Sequence, residues 1–164
     1  MNAFVLSTIG TDLGPVDCQS AICSAISPRN LTWGHRLADQ DFGEQLPDQC
    51  PPDGIGDEAL GPVFRLVPTS DPDETCFSSK LALAETPPPG YKGTACEWAS
   101  CSLNRSVDAL LKIRGLVMRN PFVARLEIPA AKGKHDAGKA HINFWKYKGF
   151  DLSSAVVETW EHGK

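Results

Sequence analysis

At Asn120-Pro121 the apolar rhythm of this chain changes, and that change dictates how the segments on either side can fold. Ahead of it, Val107, Leu110, Leu111, Val117 and Met118 recur at helical spacing. Ile113 and Leu116 widen this face, so a helix here is expected to be covered on more than one side. Ser106 stands where an N-cap belongs, with a hydroxyl able to accept from a free backbone N–H of the first turn. Asp108 follows in that turn, where negative charge suits the helix dipole. Lys112, Arg114 and Arg119 take the remaining positions. The residue before a proline avoids the α region, so the helix predicted over 106–119 stops at Asn120. Gly115 costs roughly 1 kcal/mol relative to alanine in a helix, so the last turn is expected to be loose. From Phe122 the period is two: Phe122, Ala124, Leu126 and Ile128 share one face, and Val123, Arg125 and Glu127 the other. That pattern predicts a strand with one buried face.

The surrounding chain is organised unevenly. Its 164 residues suit one domain with a sizeable core, and its 27 glycines and prolines predict many loops. Residues 39–62 combine seven acids with turn formers such as Pro51-Pro52 and Gly61-Pro62, and are expected to bury too little to order themselves. Residues 1–61 are therefore read as an irregular, loop-rich segment, 62–160 as the compact core and 161–164 as a tail. Within the first segment, Val16–Ile26 suggests a short helix and Trp33 a packing anchor, with His35 read as structural.

In the core, Val63-Phe-Arg-Leu-Val67 reads as a strand with Arg65 among apolar neighbours. A buried arginine needs a partner or an anionic ligand, here an acid of the front half or a bound anion. Residues 74–85 suggest a short helix, and the prolines at 87–89 a stiff spacer. His141–Tyr147 and Ala155–Trp160 read as two more strands. The expected fold class is α+β: a small, mainly antiparallel sheet of four to five strands, with one principal helix packed on it.

Charge and cysteines narrow the functional classes. Residues 1–90 carry 4 basic and 13 acidic side chains, and residues 91–164 carry 12 and 7, which sums to the net −4. The basic back half either complements the acidic front or forms a face for phosphates. The opening residues lack a signal-peptide pattern and no apolar run is long enough to cross a membrane, so a cytoplasmic protein without membrane partners is expected. The six cysteines are accordingly read as reduced thiols. Cys18/Cys23 and Cys96/Cys101 share a C-x4-C spacing, but zinc knuckles are tighter and carry a cleaner Cys/His count, so no metal ligands are assigned.

Four patterns carry candidate chemistry. Gly133-Lys-His-Asp-Ala-Gly-Lys139 satisfies G-x4-G-K, yet Ala140 replaces the magnesium-binding Ser/Thr and a strand pattern follows, so it reads as a chance match. Lys132, Lys134, Lys139, Lys146 and Lys148 lie near Trp145 and Tyr147, a combination that neutralises phosphates and stacks bases in nucleic-acid binders. Cys101 with His141 forms a conceivable nucleophile–base pair. The fourth pattern is one of order: Arg65 on an early strand, then Ala99-Ser-Cys-Ser102 before a capped helix, then strands bearing Glu127 and His141-Ile-Asn143.

Over residues 62–160 this order resembles small ADP-ribosyltransferase domains. The resemblance implies NAD as cofactor, dinucleotide binding at Arg65, structural support at Ser102 and a cofactor contact at Asn143. That family uses a glutamate on a late strand to stabilise a positively charged ribosyl transition state. Here that strand shows His141 and Asn143, so an active domain would need His141 or Glu127 in the catalytic role. Against this stands the non-catalytic alternative, an accessory module that binds another protein, which is the function expected first.

Overall fold

A computed structural model of the chain describes residues 41–138 and 140–163. The suggested helix at 16–26, Trp33, His35, Cys18, Cys23 and Lys139 lie outside the described residues. Six strands form one sheet: β1 (Leu60–Val67), β2 (Cys101–Asn104), β3 (Phe122–Ile128), β4 (Gly133–His135), β5 (His141–Lys146) and β6 (Val156–Glu161). Their order is β4-β5-β2-β1-β3-β6, and every pairing is antiparallel. The fold is α+β, as expected, with one strand more than the upper expectation. Two strands were not read in the sequence: β2, just ahead of the Ser106 cap, and β4, drawn from the stretch read as a basic loop. β4 also settles the G-x4-G-K match, because Gly133–His135 pairs with β5 and does not wrap a helix N-terminus.

The two faces of the sheet follow the period-two patterns. On one face Val63 and Val67 of β1, Leu103 of β2, Ala124 and Leu126 of β3 and Ile142 and Phe144 of β5 form the main core. Two short 3-10 turns, Glu74–Phe77 and Leu152–Ala155, close over it with Phe77, Leu152 and Ala155. The first of these replaces the helix expected at 74–85, with Asp73 capping it by accepting from the amides of Thr75 and Cys76. On the other face Leu66, Leu110 and Val123 gather Phe64, Val107, Leu116, Val117 and Trp160 into a smaller cluster. Val123 is therefore fully buried, and β3 has apolar contacts on both faces where one was expected.

The predicted 106–119 helix is two short ones, α2 (Val107–Leu111) and α3 (Arg114–Val117). Ser106 does cap α2, accepting from the amide of Ala109 at 3.4 Å. The break falls at Lys112 and at Ile113, whose ψ of 81° leaves the helical region. Gly115 and the β-branched Ile113 and Val117 give this stretch little helical propensity to hold it continuous. A third helix, α1 (Ala95–Trp98), begins in a capping box between Thr94 and Glu97. None of the helices among the described residues is long and apolar enough to cross a membrane.

The ordered unit reaches further forward than Pro62. Cys50 and Cys96 form a disulfide, which corrects the reading of these two as free thiols. Phe42 bridges to Tyr147 with ring centroids 5.4 Å apart, and Gly56 bridges to His135 on the edge strand β4. The amide of Gly43 donates to the Lys146 carbonyl at 3.0 Å, and that of Ala131 to the Asp57 carbonyl at 2.7 Å. Backbone pairing and one covalent link thus fasten 41–59 despite its polar composition.

Candidate functional site

The site is a fault between two strands. β1 and β2 share a single register position, Phe64 opposite Asn104, and beyond it no ladder joins them. The Arg65 side chain fills the role of the missing rungs. Its Nε donates to the Cys76 carbonyl at 2.8 Å, and its Nη1 donates to the Ser102 carbonyl at 2.8 Å and to Cys101 Sγ at 3.3 Å. Nη2 has only a 3.5 Å contact with the Ser78 carbonyl. Among the described residues Arg65 forms no salt bridge, so the acid partner expected for it is replaced by three carbonyls and a thiol. A guanidinium presents five donors in a rigid fork, which suits it to pinning divergent backbones.

A cleft of about 380 Å³ opens along this fault. Arg65, Ser102 and His141 stand on its polar side; Leu66, Leu83, Leu110, Ile113 and Leu116 line its apolar side. The alternation along β2 turns the Ser102 side chain outward, and the β2–β5 register puts His141 opposite Asn104, beside it. Buried Asn104 fixes the entry to α2 by accepting from the Ser106 amide at 3.0 Å. The break before α3 leaves Ile113 45 % exposed in the cleft lining, as is Leu83 at 46 %. Such a volume with apolar walls and a few convergent polar groups is the usual form of a ligand site.

Three of the five residues implied by the transferase resemblance meet here: Arg65, Ser102 and His141. The other two do not. Glu127 lies on β3, paired with Arg125 at 2.9 Å and not lining the cleft. Asn143 is 4 % exposed and committed: its amide and Nδ2 donate to the two Asp136 carboxylate oxygens at 2.7 and 3.0 Å, and its Oδ1 accepts from Ser100 Oγ at 2.8 Å. Among the described residues that line the cleft there is no aspartate or glutamate.

The remaining candidates disperse. Trp145 and Tyr147 are 3 % and 7 % exposed, with Trp145 Nε1 donating to the Cys96 carbonyl at 3.1 Å, so neither ring offers a face for a base. Lys146 is ion-paired with Glu74, and Lys148 Nζ lies 3.9 Å from Asp41. Lys132 Nζ sits 5.7 Å above the Phe150 ring, while Lys134 opposes Trp145 on the edge pair β4–β5. Cys101 is a buried thiol that burial pushes above its usual pKa, the nearby Arg65 charge opposing the shift only in part. His141 sits opposite Asn104 and Cys101 opposite Phe144, so they do not form a nucleophile–base pair. Cys96 is engaged with Cys50 and is no metal ligand. On the cleft wall the Cys76 thiol is likewise raised, by burial and by the charge of Asp73.

Sequence reasoning found Arg65, Ser102 and His141 but not the apolar wall. The signal was present in Ile113 and Leu116, which made the helical face too wide for one packing surface. Compared with family models, curated proteins and solved structures, the chain matches none of them.

Proposed function

We propose that this chain is a non-catalytic binding module that takes an apolar segment of another protein into the cleft between β1 and β2. The observation that carries the reading is the apolar lining of the cleft, in which Leu83 and Ile113 stay nearly half exposed. Exposed apolar side chains grouped around a concavity are the ordinary mark of an interaction site. Among the described residues that line it, the cleft shows no paired acid and base and no activated nucleophile: its Cys76 thiol is raised, and no carboxylate stands with His141. Peptide display against the folded protein, counter-selected with an Ile113→Asp variant, tests this. Peptides that bind the parent and not the variant support a cleft ligand; enrichment indifferent to Ile113 opposes it.

A second reading rests on the convergence of Arg65, Ser102 and His141. In it the cleft holds NAD, and His141 acts in place of the family's glutamate. A ligand at 100 times its dissociation constant adds about 2.7 kcal/mol of stability. On this reading NAD therefore raises the melting temperature by several degrees, and a folded His141→Ala variant cleaves no nicotinamide. No shift with NAD removes the reading. Nucleic-acid binding through 132–148 is the weakest of the three, since its two aromatic rings are buried. As for compartment, disulfides persist where conditions are oxidising and are rare in the cytosol. The Cys50–Cys96 bond thus favours an oxidising compartment over the cytoplasmic one expected from the sequence.

A further inference from the structure

The segment that lends Leu110, Ile113 and Leu116 to the cleft carries an unbalanced charge outside it. Between residues 105 and 119 stand Arg105, Lys112, Arg114 and Arg119 against a single acid, Asp108. Arg105 Nη2 donates to the Ala137 carbonyl at 3.1 Å and Arg119 Nε to the Gly115 carbonyl at 3.0 Å, both within reach of solvent. Lys112 and Arg114, exposed on either side of the rim residue Ile113, have no carboxylate partner among the described residues. Lys80, which also lines the cleft, is held by Glu85 at 2.7 Å and adds no net charge. Inside, among the described residues, Arg65 Nη2 keeps only its long contact with Ser78, and no carboxylate lines the walls. The apolar wall residues Leu110, Ile113 and Leu116 and the exposed cations Lys112 and Arg114 that flank Ile113 are carried by the same short segment.

We propose that the occupant of this cleft is an acidic peptide segment whose apolar side chains seat against Leu66, Leu110, Ile113 and Leu116, while its carboxylates meet Lys112 and Arg114 on the rim. The proposal rests on the cleft being a peptide site, and it names the chemistry that site selects. Apolar burial supplies most of the affinity; the charges choose among partners and hasten encounter, since like charges brought together are costly and opposite ones steer association. Among the described residues, no acid of positions 41–90 pairs with Lys112 or Arg114; the ion pairs these acids form go to Lys80, Lys146, Lys148 and His135.

Fluorescence anisotropy with three short labelled peptides tests the proposal: one alternating leucine with aspartate, one leucine with glutamine and one leucine with lysine. The acidic peptide is expected to bind about tenfold or more tightly than the lysine peptide at low salt, the gap closing as salt screens the rim. A doubly reversed Lys112→Glu, Arg114→Glu variant should fold normally, since both side chains are exposed, and should invert that preference. Ile113→Asp should weaken all three. Equal affinities for the three peptides, unchanged by rim reversal but lost in Ile113→Asp, would overturn the charge proposal and leave the peptide site intact. Absence of binding by every peptide would overturn both.

Discussion

Arg65 shows how one side chain can replace a stretch of sheet. Its guanidinium ties the Cys76 and Ser102 carbonyls and the Cys101 thiol across strands that no longer pair. Hydrogen bonds from a charged donor are each worth about 1.5–3 kcal/mol net, and leaving the part-buried Cys76 carbonyl and Cys101 thiol unpaired adds to the loss. Arg65→Ala is therefore expected to cost about 2–3 kcal/mol in urea unfolding, and Arg65→Lys to recover only part of it, because an ammonium cannot span the same fork. A loss under about 0.5 kcal/mol would deny Arg65 its role as the bridge. The other committed polar side chain is Asn143, whose Nδ2 donates to Asp136 and whose Oδ1 accepts from Ser100, beside a backbone-amide bond to the same Asp136. Asn143→Leu should destabilise by about 1–3 kcal/mol through the stranded Ser100 and Asp136 groups, read from the same unfolding curves.

At the scale of elements, β3 is the centre of the sheet's longer half, pairing with β1 on one side and β6 on the other. Leu126 is fully buried in the main core, so Leu126→Asp should cost about 4 kcal/mol or more and leave the protein unfolded or molten, with lost near-ultraviolet dichroism. A soluble variant with native dichroism would contradict the packing. This strand, β5, the last strand and the Ser106 cap were legible because each is written in local alternation or a local capping pattern. The two helices were read as one because periodicity reports which side chains share a face, not whether the backbone breaks between them at Ile113. β4 and the order of the strands were illegible for a different reason: both depend on pairing between residues far apart in sequence. The same holds for the site. Arg65 stood out as a charge in an apolar strand, but that it would meet backbone carbonyls in place of an acid follows only from β1 and β2 parting after one register position.

For the whole molecule, the sequence misled most at 41–59. Acid and turn content argued for a segment without order, yet the bridges to Tyr147 and His135 and the Cys50–Cys96 bond fasten it to the sheet. A disulfide closing a loop between positions separated by 46 in sequence stabilises mainly by restricting the unfolded chain. Replacing both Cys50 and Cys96 by serine should cost about 2–5 kcal/mol, and mass spectrometry of alkylated, unreduced protein should leave these two cysteines unlabelled. Labelling of both would contradict the link. The central claim is that the fault between β1 and β2 is a peptide site. It is tested most directly by following backbone amide resonances while the leucine–aspartate peptide is titrated in. Shifts clustered at Leu66, Ser102, Leu110, Ile113 and Leu116 are expected. Shifts confined to residues 132–148, or none at saturating peptide, would contradict it.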